Sequence, residues 1–163
     1  MRKILIFGNS GSGKSTLARH IAGKEGLTHL DLDLLAWLPI SPPRRRPIEE
    51  SRRRINSFLR EQNGWVVEGC HTDLLVLLRY EATEIIFIDL SVEQYIVNAR
   101  NRPWEPHKYK AKEAQDANLE ILVSWIGEYK LRSDTCAYQS HRNFYDTFQG
   151  NKRIYTENQV NKH

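Results

Sequence analysis

Cysteine is scarce in this 163-residue chain, methionine occurs once, and no apolar run approaches the length of a bilayer. Each shortage excludes something. Cys70 and Cys136 stand far apart without C-x-x-C spacing, so neither a zinc ribbon nor a dithiol redox centre is expected, and both read as reduced, structural thiols. A membrane helix needs about 20 consecutive apolar residues, and none is present. Met1-Arg2-Lys3 passes directly into Ile4-Leu5-Ile6-Phe7 with no secretory leader pattern, so a cytoplasmic setting is expected. What remains is ordinary for a globular domain: 40% hydrophobic and 27% charged residues, enough to build one core. The net charge of +4 favours anionic ligands but does not separate a nucleotide from a nucleic acid.

The informative stretch lies near the start. Gly8-Asn9-Ser10-Gly11-Ser12-Gly13-Lys14-Ser15, followed by Thr16, satisfies G-x-x-x-x-G-K-[ST] at every specified position. Glycines at 8, 11 and 13 let the backbone turn its N–H groups inward on an anion. Lys14 then offers an ammonium to the β- and γ-phosphates of ATP, and Ser15 offers a hydroxyl to Mg²⁺. The context agrees, because Ile4 to Phe7 reads as a buried parallel strand and Leu17, Ala18 and Ile21 recur at helical spacing. No Asn/Thr-Lys-x-Asp segment for reading guanine occurs, so a GTPase is not expected.

Further along, Thr28 to Asp33 reads as a second strand ending in two carboxylates, with Asp31 and Asp33 on one face because strand residues two apart share a side. One carboxylate could support Mg²⁺ and the other orient an acceptor hydroxyl. Trp37 follows in a short turn before Pro39. Six arginines fall between Arg44 and Arg54, which invites a nucleic-acid reading. No aromatic residue interleaves them, and a solvated face of a helix over 48–62 is the favoured use. Trp65-Val66-Val67 reads as a third strand reaching Glu68-Gly69, where Glu68 is a candidate for metal or base work. A short helix through Leu78 brings Arg79 to its end, and Glu84 to Asp89 reads as a fourth strand.

Ser91-Val92-Glu93-Gln94 has the pattern of a capping box opening a helix that ends near Arg100 and Arg102. Residues 101–112 contain two prolines, Trp104, His107, Tyr109 and several cations with little apolar periodicity. That composition suits a lid over a phosphate site, with Arg100 and Arg102 delivering charge to a transferring phosphoryl group. Helices over 112–132 and 134–148, a short last strand at 153–155 and a frayed polar tail at 157–163 complete the chain, with residues 1–156 forming one domain. Alternation of strands and helices predicts an α/β fold with a parallel sheet covered on both faces. Gly13, Lys14, Asp33, Glu68 and Asp89 all fall at the carboxyl ends of strands, where such sheets bind ligands.

The phosphate loop, Leu30-Asp31-Leu32-Asp33 with Trp37, Trp65 to Gly69, Ile86 to Leu90, and Arg100 with Arg102 together resemble the small P-loop kinases, a group that includes shikimate, gluconate and nucleoside monophosphate kinases. Within it the chain is most similar to the topology modulation proteins, which are related to adenylate kinase. The resemblance implies a three-layer P-loop fold with a five-stranded parallel sheet in the order 2-3-1-4-5, ATP with Mg²⁺, and a closing lid. It also implies Mg²⁺ support at Asp31 and an acceptor hydroxyl at Asp33; Ser15 and Glu68 are further candidates for the metal, and Trp37, Glu68, Gly69 and Arg79 for the acceptor pocket. Glu68-Gly69-Cys70-His71 departs from the Asp-Gly-Asn-Tyr usual in topology modulation proteins, and no glycine-rich shikimate-binding segment follows the third strand. Shikimate is therefore not the expected acceptor. The expectation is phosphoryl transfer from ATP to a small molecule, with a nucleotide-binding regulator of nucleic acid as the alternative.

Overall fold

The computed structural model describes residues 1–40, 42–160 and 162. Five parallel strands form its centre: β1 (Lys3–Gly8), β2 (Thr28–Asp31), β3 (Trp65–Gly69), β4 (Glu84–Ile88) and β5 (Asn151–Tyr155), in the spatial order β2-β3-β1-β4-β5. The helices are α1 (Lys14–Glu25), α2 (Asp33–Ala36), α3 (Ile48–Glu61), α4 (Thr72–Leu75), α5 (Val92–Arg100), α6 (Lys112–Gly127) and α7 (Tyr138–Thr147). None of them is long and apolar enough to cross a membrane.

Strand alternation sorts the apolar residues into two cores, one on each face of the sheet. Leu5, Phe7, Val67 and Phe87 pack with Ile55 of α3, Leu74 and Leu75 of α4 and Phe144 of α7. Ile4, Ile6, Val66 and Ile86 pack with Leu17 and Ala18 of α1, Tyr95 and Ala99 of α5 and Ile126 of α6. Because β1 lies between β3 and β4, with Ile6 opposite both Glu68 and Ile86, the chain leaves β1 at the middle of the sheet's carboxyl edge. That is where the phosphate loop begins.

Several boundaries differ from those expected, for local reasons. The second strand stops at Asp31, and Asp33 opens α2 instead of ending the strand; the Asp31 side chain accepts the Asp33 backbone N–H at 2.9 Å and turns the chain. The helix expected to reach Arg132 stops at Gly127, and the Arg132 guanidinium donates to the Trp125 carbonyl in its last turn. The next helix opens at Tyr138, because Asp134 spends its carboxylate on the Cys136 backbone N–H in a turn. The Ser91 hydroxyl caps α5 as expected, but the Gln94 side chain bonds Asn98 and leaves the box half made. Instead of fraying, the start of the polar tail packs inward: Asn158 pairs with Asn98, and Gln159 is buried. Asn161 and His163 of that tail lie outside the described residues.

Candidate functional site

The phosphate loop joins β1 to α1 and is held from beneath. Asn9 is buried, with its amide donating to the Ile126 carbonyl and its oxygen accepting the Ser10 N–H at 2.9 Å. Asn98 of α5 donates to the Gly11 carbonyl at 2.7 Å. Gly11 and Gly13 have φ of +84° and +86°, and a Cβ on Gly11 would lie 2.2 Å from the Tyr95 carbonyl oxygen. A side chain there would collide with the backbone of α5 beneath the loop, so the close seating of the loop on α5 requires glycine. Among the described residues, the buried Ser12 hydroxyl has no hydrogen-bond partner. An anion bound by the loop's N–H groups fits both the left-handed glycines and this hydroxyl.

Three carboxylates gather beside the loop. Neighbouring strands bring Asp31 opposite Glu68. The Ser15 hydroxyl donates to Glu68 Oε2 at 2.6 Å, and His29 Nε2 lies 3.0 Å from the same oxygen. Burial alone would raise the Glu68 pKa, but His29, Lys14 and Ser15 outweigh it and hold the carboxyl below its usual range. Asp31 goes the other way, pushed up first by burial and then by the nearby Glu68 charge. Among the described residues its buried Oδ2 makes no hydrogen bond of good geometry, although Lys108 Nζ is 3.2 Å away. Ser15, Asp31 and Glu68 thus form a set of oxygen donors of the kind Mg²⁺ takes.

Lys108, from the segment between α5 and α6, closes the group. Its ammonium lies 2.9 Å from Asp33 Oδ2 and spans both aspartates. Asp33 also faces His71 Nε2 at 3.3 Å; these two cations overcome the effect of burial and hold its carboxyl well below the ordinary value. The same aspartates raise Lys108 against the lowering effect of its own burial. Asp33 is therefore an ionised acceptor of hydrogen bonds.

A cavity of about 1290 Å³ runs from Lys14 and Ser15, past Asp33 and Trp37, under Arg102 and Lys108. Pockets for one small ligand are typically about 300–1,000 Å³, so this one has room for a nucleotide and a second molecule. Arg102 reaches the loop, with Nη2 donating to Ser10 Oγ at 3.1 Å. Arg100 does not; it pairs with Glu120 on the exposed surface. Trp37 lines the cavity with its ring edge-on to His71. Gly69 acts by closeness, since a Cβ there would stand 2.8 Å from Leu32 Cβ. Arg79 is turned away, donating to Thr147 Oγ1 and lying over Phe144. Asp89 stands beyond β4 and is raised mainly by burial. In the arginine segment, Arg45 pairs with Asp73, Arg46 with Glu50, Arg52 with Glu49 and Arg54 with Glu50. Four of the six arginines of that segment are thus paired with carboxylates.

Sequence reasoning missed His29, His71, Asn98 and the particular role of Lys108. Only Lys108 carried a signal, as one of several cations in the lid-like segment. The histidines and Asn98 reach the site through strand pairing and helix packing, which no local pattern announces.

No described protein family matches the chain, and no curated protein matches it in sequence. Solved structures do match in shape. A shikimate kinase from Bacteroides thetaiotaomicron aligns over 98% of this chain and 89% of its own, with a TM-score of 0.57 and 14% identity. A shikimate kinase from Acinetobacter baumannii, solved with shikimate, aligns over 98% and 86%, with a TM-score of 0.54 and 17% identity. The five-stranded parallel sheet in the order 2-3-1-4-5 thus belongs to a fold shared with those two kinases.

Proposed function

We propose that this protein is an ATP-dependent phosphotransferase that moves the γ-phosphoryl group to a small acceptor held beside Asp33. The carrying observation is a cavity lined by the phosphate loop, Asp33 and the cations Arg102 and Lys108, with Asp31 and Glu68 buried behind Lys108 and Ser15. Likeness of fold to kinases that phosphorylate small molecules supports the same reading, as does the resemblance to topology modulation proteins.

The loop's N–H groups from Gly8 to Thr16 and the Lys14 ammonium bind the phosphates of ATP, and Ser15, Asp31 and Glu68 are the donors for Mg²⁺. Bound Mg²⁺ neutralises phosphate charge. Asp33, kept ionised by its neighbours, accepts the hydrogen of an acceptor hydroxyl and aims its oxygen at the phosphorus; Lys108 yields that position when the acceptor arrives. Arg102 compensates charge that develops on the transferring group. Little bond chemistry is asked of the protein, and positioning supplies most of the acceleration. Nucleotides and hydroxylated metabolites are the acceptor classes that suit a polar cavity of this size.

The test is transfer of labelled γ-phosphate across nucleoside monophosphates, gluconate, shikimate and other hydroxylated metabolites. One labelled acceptor is expected, with turnover lowered about 10³-fold or more in Lys14→Met and an unchanged unfolding midpoint. Full turnover in that variant refutes the assignment. The regulatory alternative predicts salt-sensitive binding to DNA or RNA, and the ion pairs of Arg45, Arg46, Arg52 and Arg54 weigh against it.

A further inference from the structure

Cys70, His71 and Cys136 lie in the cavity wall, and their thiols and the imidazole Nδ1 have no task in phosphoryl transfer. We propose that Cys70 Sγ, Cys136 Sγ and His71 Nδ1 form a site for one thiophilic divalent cation of the Zn²⁺ class, with its fourth position open to the cavity.

The donor geometry comes first. The two sulfurs are 3.1 Å apart, Cys136 Sγ is 3.1 Å from His71 Nδ1, and all three atoms lie within 4.8 Å of one another. A tetrahedral ion with Zn–S near 2.3 Å and Zn–N near 2.0 Å spaces such donors about 3.5–3.8 Å apart. The two short separations need to open by about 0.4–0.7 Å. Two thiolates with one imidazole is a donor set that selects zinc over the oxygen-seeking Mg²⁺. Three protein ligands beside a cavity match a site that keeps one position for water or a ligand atom.

The framework is already built. Cys70 and His71 follow β3, whereas Cys136 precedes α7, and the two segments are tied by Thr72, whose N–H and hydroxyl both donate to the Thr135 carbonyl. The Cys70 carbonyl faces His141 Nε2 at 2.7 Å, and the Cys136 N–H is held by Asp134. His71 has the orientation a metal ligand needs: Nε2 faces Asp33 Oδ1 at 3.3 Å, which leaves the Nδ1 lone pair for the ion. Arg45 Nη1 stands 3.5 Å from that nitrogen, but the same guanidinium is anchored to Asp73 Oδ2 at 2.8 Å and to the Ala36 carbonyl. Binding releases to solvent the protons held by the thiols and by the His71 imidazolium, and two thiolates with a neutral imidazole around one divalent ion leave the buried site neutral.

The site does not depend on the phosphotransfer reading, and its test is separate. The full chain, reduced and stripped with chelator, is titrated with Co²⁺ and then with Zn²⁺. One equivalent of Co²⁺ should produce thiolate-to-cobalt charge-transfer absorption with tetrahedral visible bands, and one equivalent of Zn²⁺ should erase both. Cys70→Ser, Cys136→Ser and His71→Gln should each weaken binding by roughly 100-fold or more, and Asp33→Asn should keep the absorption while weakening binding about 10–100-fold. Circular dichroism identifies any variant that fails to fold; His71→Gln, which keeps both thiols, then carries the test. Lys14→Met should titrate like the unmodified protein. Absence of the absorption in the reduced protein overturns the proposal, as does its survival in the folded Cys70→Ser/Cys136→Ser double variant.

Discussion

Substituting alanine for glycine should have opposite effects at two positions in and just beyond the phosphate loop. At Gly11 the backbone φ is +84°, and the new Cβ would lie 2.2 Å from the Tyr95 carbonyl oxygen and 3.0 Å from its carbonyl carbon. Relief requires a shift of about 1 Å to reach ordinary contact. Tyr95 resists that shift, because it is fully buried and its hydroxyl bridges the Ile88 carbonyl and the Leu90 N–H. Left-handed backbone costs roughly 1–2 kcal/mol and overpacking typically adds 1–3 kcal/mol, so Gly11→Ala should destabilise by about 3 kcal/mol. At Gly23, inside α1, nothing lies within 4 Å of the new Cβ and φ is negative. Gly23→Ala should therefore stabilise by about 0.5–1 kcal/mol. Urea unfolding of both variants measures the two signs, and equilibrium binding of an ATP analogue should weaken only for Gly11→Ala. A Gly11→Ala protein within 0.5 kcal/mol of the parent, or the same sign at both positions, would refute the packing argument.

Lys108→Met removes the cation shared by Asp31 and Asp33; with Asp33 partly exposed, the cost should be about 1–2 kcal/mol, and amides over 101–111 should exchange faster, whereas unchanged exchange would show that Lys108 does not tie the lid down. Arg102→Gln should lower phosphoryl transfer by about 10²-fold or more while Arg100→Gln stays within a few-fold, because only Arg102 reaches the phosphate loop; equal losses would remove that distinction. His141 is fully buried between the Tyr129 hydroxyl and the Cys70 carbonyl, and burial brings its pKa down to about 4. An unfolded histidine titrates near 6.5, so between these values the unfolded chain binds the extra proton. The contribution to stability is complete above about pH 6.5 and is lost as pH falls through 4, up to about 3 kcal/mol in all. Metal-free protein should show this slope in urea unfolding and His141→Gln should lack it; identical slopes would place the titration elsewhere.

The order of strands and helices was legible because buried parallel strands are short apolar runs and the helices between them repeat at 3.6 residues. The phosphate loop was legible residue by residue, since its chemistry depends on adjacent backbone and on one lysine and one hydroxyl at set spacing. Asp31 and Glu68 could be suspected from their places at strand ends. By itself, then, the sequence determined the loop, the layer architecture and the edge of the sheet that carries the site. Tertiary structure alone decided which side chains meet there. Arg100 and Arg102 are two residues apart in sequence, yet helix geometry sends one to Glu120 and the other to Ser10. Lys108 reaches Asp31 and Asp33 only because the segment between α5 and α6 folds across the strand ends, and Cys136 meets Cys70 only because the turn before α7 is bonded to Thr72. Local patterns record what the neighbouring chain requires; contacts between distant segments depend on how the layers pack, which no short window of sequence contains.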